Sequence, residues 1–169
     1  MPKNPGRKDA PVANLRNNPV AAALQDVLAS TYTAYLLTHN YHWNIEGRDF
    51  YSLHKLLDDQ YNELFAAVDE IAERIRALDA YAMPGGLSEF NEPANRYPSP
   101  IDGRSGNAES VSREMLAQLV EVNEEAIKAA QKAKRIAEKA EDDESVDLTV
   151  SRITAHQKAV WMLKSSLKK

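Results

Sequence analysis

The stretch HWNIEGRDFYSLHKLLD, residues 42–58, decides how this chain folds. Gly47 lies between one run of helical apolar spacing that is ending and another that is beginning. Upstream, Val20, Leu24, Val27, Leu28, Tyr32, Tyr35 and Leu36 recur at intervals that place them on one helix face. They predict a helix from about Pro19 to Glu46, with Pro19 in its first turn and Asn17 or Asn18 as its cap. Downstream, Leu53, Leu56, Leu57, Tyr61, Leu64, Phe65, Val68, Ile71 and Ile75 predict a second helix from near Asp49 to about Leu78. About thirty residues of helix span roughly 45 Å, so the two make a long helical hairpin.

Beyond the hairpin the pattern breaks. PGG, NEP, RYPSP and DGRSG follow one another through residues 83–106, a succession of turn signals. Helical spacing resumes from about Ala108 to Lys139 through Met115, Leu116, Leu119, Val120, Val122, Ile127 and Ile136. The acidic EDDE (141–144) marks another turn, and Ser145 to Leu167 reads as a last helix. Two hairpins joined by a long connection give an all-α four-helix bundle of the crossover kind, because a simple up-down bundle needs only short loops. The connection carries LSEFNEP (87–93), where a short extra helix is expected. The chain divides into a flexible basic tail, residues 1–16, and one bundle domain, residues 17–169.

Composition narrows the chemistry. A chain of 169 residues buries a real core without staples, and with no cysteine it has no thiolate metal site, disulfide framework or cysteine nucleophile. Any metal is therefore held by oxygen and imidazole. No apolar run reaches membrane-spanning length, and the N-terminal residues lack the apolar stretch of a signal peptide, so a cytoplasmic protein with no membrane partner is expected. The formal net charge of -4 argues against a body that is basic overall, while leaving room for basic tails.

Five residues carry the candidate chemistry: His42, His54, Asp58, Asp69 and Glu73. His54 and Asp58 are four apart, as are Asp69 and Glu73, so each pair projects from one face of the second helix. His42 ends the first helix, and the turn returns it against the start of the second, which makes a cluster of His42, His54 and Asp58 sterically reasonable. From Asp58 to Asp69 the helix rotates by only about 20°, yet it advances roughly 16 Å, too far for one metal or a bridged pair. One subunit does not close such a site. Two copies of the helix, antiparallel about a two-fold axis, close two equivalent sites. The plainer alternative is a solvated helix face, for which carboxylates at this spacing are the usual cause. Against it, Val68, Ile71, Ala72 and Ile75 surround Asp69 and Glu73, and a charge beside apolar surface needs a partner or a metal.

At these residues the sequence resembles Dps, the DNA-binding protein from starved cells, a branch of the ferritin-like superfamily. HWNIEGRDFYSLHKLLD (42–58) is similar to the family's first ferroxidase signature, and VDEIAERIRALDAYA (68–82) to its second. The Glu-x-x-His motif by which ordinary ferritins build a di-iron site inside one bundle is absent from the chain. The resemblance implies a ferritin-like bundle assembled as a hollow dodecamer. It implies that His42, His54 and Asp58 of one subunit, with Asp69 and Glu73 of its partner, bind two irons, with zinc as a substitute. It implies ferroxidase activity, oxidising Fe(II) to Fe(III) with hydrogen peroxide, and storage of ferric oxide that protects DNA from oxidative damage. Trp43 and Trp161 resemble near-site tryptophans that pass electrons or quench radicals, with simple packing as the alternative. Asp142, Asp143, Glu144 and Asp147 resemble the lining of a three-fold pore that admits iron, with helix capping as the alternative. His39 and His156 read as ordinary helix-face histidines.

Lys3, Arg7, Lys8 and Arg16 lie in the tail, and Lys164, Lys168 and Lys169 form a second basic end. Repeated around an oligomer, such tails contact DNA phosphates without sequence preference and place the protein at the nucleoid; a solubilising tail is the other reading. A nucleoid-compacting structural protein with a vestigial metal site is therefore the competing function.

Overall fold

A computed structural model describes residues 18–83, 98–102 and 106–168, and every regular element among them is an α-helix. They are α1 (Pro19–Asn44), α2 (Phe50–Ala77), α3 (Ala108–Lys139) and α4 (Asp143–Ser166). The cap of α1 is Asn18, whose Oδ1 accepts from the N–H groups of Val20 and Ala21 at 3.1 and 3.0 Å. Asn107 and Asp142 serve α3 and α4 in the same way, each accepting a backbone N–H three residues on. Gly47 turns the chain between α1 and α2 at φ +105°, a conformation that L side chains rarely adopt. No helix among the described residues is long and apolar enough to cross a membrane. The expected tail (1–16) and short helix (87–93) lie outside the described residues.

The order of the helices follows from their ends. The Asn18 amide donates to the Leu78 carbonyl at 3.4 Å, so the start of α1 meets the end of α2. At the other end Ser112, in the first turns of α3, donates to the Glu46 carbonyl at 2.7 Å. The chain therefore leaves α2 at one end of the bundle and begins α3 at the other. A helix the length of α1 spans about 39 Å, which a short loop does not bridge. This is the long crossover of the all-α ferritin-like bundle. The arriving segment is held by the Ile101 N–H, which donates to the Tyr41 hydroxyl at 2.8 Å.

Inside, two apolar clusters are stacked along the bundle. Leu37, Tyr41, Ile45, Leu57, Met115 and Leu119 lead the one near the α1–α2 turn. Leu24, Leu28, Ile71 and Ile75 lead the other, against Ala130, Ala133 and Ala137, small residues that let α3 approach closely. Between them lies a buried polar belt that includes Thr31, Asn123, Arg152 and His156. Arg152, 3% exposed, is bound by both carboxylate oxygens of Glu63 at 2.5 and 3.0 Å, linking α4 to α2. α1 packs on α2 and on α3, and α3 on α4, whereas α2 and α4 touch little. Two residues assigned to apolar faces by their spacing point outward: Leu36 and Phe65, the latter 63% exposed.

Candidate metal centre

The turn at Gly47 brings His42, on the last turns of α1, against His54, on the first turns of α2. Their rings stack with centroids 3.8 Å apart. Each ring bonds to the backbone of the other residue: His42 Nδ1 lies 3.1 Å from the His54 carbonyl and His54 Nδ1 lies 2.8 Å from the His42 carbonyl. A carbonyl only accepts, so both Nδ1 atoms carry the proton. In the neutral rings both Nε2 lone pairs are then free, the tautomer that a metal ligand needs and the orientation that metal-binding histidines owe to a second hydrogen bond.

Asp58 follows His54 by one turn, and its side chain is partly exposed. Lys55 donates to it at 2.8 Å and bridges to Asp59 at 2.8 Å. The Lys55 hydrogen bond, then one from Tyr61, holds the Asp58 carboxyl below its ordinary range, and the Lys55 ammonium is pushed up in return. Asp58 is thus an anion ready for a cation, with a lysine bound to it.

Asp69 and Glu73 are exposed on the far part of the same uninterrupted helix, without a hydrogen bond or ion pair in the described chain. The helix is continuous from Phe50 to Ala77, so their axial distance of roughly 16 Å from Asp58 stands. Among the described residues no three His, Asp or Glu groups of one chain converge on a metal position. His42 and His54 come together, Asp58 stands beside them, and Asp69 and Glu73 do not reach them.

Two neighbours escaped the sequence reading. His39 stacks on Tyr61 at 4.2 Å and lies 4.1 Å from the Trp43 ring. Tyr61 in turn meets the His42 ring edge-on at 5.0 Å. Burial first, then the charge of His42, lowers the His39 pKa. His39 is therefore part of an aromatic wall beside the pair rather than an ordinary helix-face histidine. The signal was its spacing, three residues before His42, as Tyr61 is three after Asp58. His156 is corrected too: it is buried, and its Nδ1 lies 2.7 Å from Asn123 Oδ1.

Trp43 is 64% exposed against His39, and Trp161, 65% exposed, makes no ring contact among the described residues. Of the acidic residues at the start of α4, Asp142 caps the helix and accepts from Arg74 at 2.6 Å. Burial raises its pKa, but hydrogen bonds from the Ser145 N–H and hydroxyl and the nearby Arg74 outweigh that and leave it lowered. Arg74 serves α4 in this way instead of pairing with Glu70 one turn before it. Asp143, Glu144 and Asp147 are exposed. Lys3, Arg7, Lys8, Arg16 and Lys169 lie outside the described residues, and Lys164 pairs with Glu124 at 2.7 Å.

Comparison with known proteins bears on the fold and the family. Residues 21–169 match the ferritin-like domain of the Ferritin family. An uncharacterized low temperature-induced protein of Nostoc is 30% identical over 143 residues, covering 84% of this chain and 76% of that protein. The DNA protection during starvation protein of Brevibacillus brevis is 26% identical over 148 residues, 88% of this chain and 94% of its own. The crystal structure of a Dps protein from Vibrio cholerae, described as a member of a broad superfamily of ferritin-like diiron-carboxylate proteins, superposes with a TM-score of 0.75 at 29% identity over 92% of both chains. With the crossover bundle, the two signatures and these likenesses in agreement, the chain belongs to the Dps family of miniferritins within the ferritin-like superfamily.

Proposed function

We propose that the protein is a ferroxidase and iron store whose metal sites are shared between two subunits. The observation that carries this is the His42–His54 pair, locked by reciprocal bonds to backbone carbonyls with both Nε2 atoms free. Its complement is a second carboxylate pair, Asp69 and Glu73, unpartnered on the same helix stripe. Phe65, 63% exposed, sits between the two halves of that stripe. An antiparallel α2–α2 contact centred there buries the phenyl ring and sets the early half of each helix against the late half of the other. His42, His54 and Asp58 of one subunit then face Asp69 and Glu73 of its partner, and imidazole with carboxylate suits ferrous iron and its ferric product. Zinc is the other metal that this donor set accepts.

The substrate is Fe(II). Two ferrous ions give up one electron each, and one hydrogen peroxide takes both and, with two protons, leaves as two waters. Peroxide is removed without the one-electron step that generates hydroxyl radical, and ferric oxide accumulates inside a closed assembly, which we take to be a dodecamer. Asp143, Glu144 and Asp147 line the route by which iron enters it. Storage of iron and protection of DNA are what the names of the relatives and the diiron-carboxylate superfamily support. A DNA-containing compartment, the cytoplasm with its nucleoid, is where this activity belongs.

Complementation tests the shared site. Chains carrying His42→Ala and His54→Ala, and chains carrying Asp69→Ala and Glu73→Ala, each lose peroxide-driven iron oxidation. Reassembled together in equal amounts, half of the dimers are mixed and each regains one of its two sites, so about a quarter of the wild-type rate returns. No recovery on mixing, or full activity in the Asp69→Ala, Glu73→Ala protein alone, overturns the reading. The basic tail is tested separately: removal of residues 1–16 abolishes retardation of DNA at low salt while leaving iron oxidation intact, and undiminished retardation excludes the tail as the contact.

A further inference from the structure

Between α2 and α4, apart from the His42–His54 pair, a cavity of about 280 Å³ opens to the surface. Its mouth carries the exposed Asp59 and Lys158, its walls are apolar at Leu56, Leu64, Ala159 and Met162, and its floor is His156. The orientation of that imidazole is fixed in two steps. The Asn123 side-chain amide nitrogen donates to the Leu119 carbonyl at 2.7 Å, which turns its oxygen toward His156. That oxygen only accepts, so His156 Nδ1 is the N–H and Nε2 is left as a lone pair. His156 is 1% exposed, and Nε2 has no hydrogen-bond partner. Gln60, lining the same cavity from α2, has a buried Nε2 that also lacks a partner. Two residues of the cavity lining thus each hold a buried polar atom without a partner, one acceptor and one donor, each costly to leave unpaired.

These groups select the ligand. The free acceptor requires an O–H or N–H from the ligand, and the free donor requires an acceptor on it. A hydroxyl supplies both. An anion is disfavoured because Arg152, one turn from His156, is already bound by both oxygens of Glu63, and Asp59 lines the cavity. A cation is disfavoured because the Arg152 charge already acts on the floor, adding to burial in keeping His156 neutral down to a pKa of about 3. Apolar walls favour a hydrocarbon body. We propose that this cavity binds a small neutral molecule with one hydroxyl on an apolar body about the size of phenol, the hydroxyl donating to His156 Nε2 and accepting from Gln60 Nε2.

Equilibrium dialysis of the full assembly against labelled phenol and labelled toluene tests this. Phenol is expected to bind saturably, once per chain, and toluene, which lacks only the hydroxyl, at least about tenfold more weakly. Gln60→Leu should weaken phenol about tenfold and leave toluene no weaker, and Ala159→Leu, which fills the cavity from its wall, should remove both. Equal affinities for phenol and toluene, phenol binding undiminished in Ala159→Leu, or no saturable phenol binding at all each overturn the proposal, the last meaning that the cavity holds water alone.

Discussion

His42 and His54 at one end of the bundle, and His156 in its middle, are tied down by the same device in opposite surroundings. In each ring Nδ1 is engaged by an oxygen that only accepts, and Nε2 is left open. The pair sits at the root of a surface stripe with the partly exposed Asp58 and the exposed Asp69 and Glu73. His156 sits in a polar belt beside a cavity whose carboxylates are Glu63, already bound to Arg152, and Asp59 at its mouth. In the functions proposed above, the same imidazole tautomer serves as a metal ligand where a partner subunit brings unpaired carboxylates to it, and as a neutral hydrogen-bond acceptor where the carboxylate beside it is already paired. What decides the chemistry is the supply of counter-charge.

The largest effect that would break this comparison is at the surface pair. Replacing His42 and His54 by alanine should lower the affinity for cobalt(II), read from its visible absorption, by about a hundredfold or more. An unchanged spectrum would place the metal elsewhere. Next comes acid stability. The unfolded chain protonates His156 near pH 6.5, the folded chain only near 3, so between these values the unfolded state binds more protons. Stability is therefore lost as pH falls through that window, by up to about 1.4 kcal/mol per pH unit. Urea midpoints measured at fixed protein concentration should fall less steeply with acid in His156→Leu than in the wild type. Parallel slopes would show that His156 is not held neutral. The smallest effect sharpens the contrast: Asn123→Asp puts a carboxylate beside His156 Nδ1 and should raise that pKa, narrowing the acid-sensitive window from below, as an imidazole titration by NMR would report.

The surface stripe was legible because its signal is spacing along one helix, and that helix runs unbroken from Asp58 to Glu73. The hairpin was legible for the same reason, with apolar periodicity on both sides of Gly47. The belt was not. Ser145, Thr149, Arg152 and His156 recur on α4 at helical intervals and are all buried, so the inward stripe of α4 is polar over these turns. A reading that looks for apolar residues on the inner face passes over such a stripe, because each member is stabilised by a particular partner from another turn or helix, Glu63 and Asn123 among them. Phe65 misled in the other direction: apolar and in phase with the helix, it faces outward. Its spacing alone does not tell a core from a contact between copies.

The slight contact between α2 and α4 has a mechanical consequence. Each hairpin is closed on itself, and α1 against α3 joins the two, so the bundle has a thick spine on one side and a seam on the other. Along the seam the hairpins meet through the Arg152–Glu63 and Arg74–Asp142 ion pairs and a cavity. Along the spine the backbones of α1 and α3 run close together, whereas along the seam the two helices are held at side-chain distance, so its contacts are ion pairs and the longer apolar side chains. The molecule is built like a book, bound along α1 and α3 and clasped by side chains along α2 and α4.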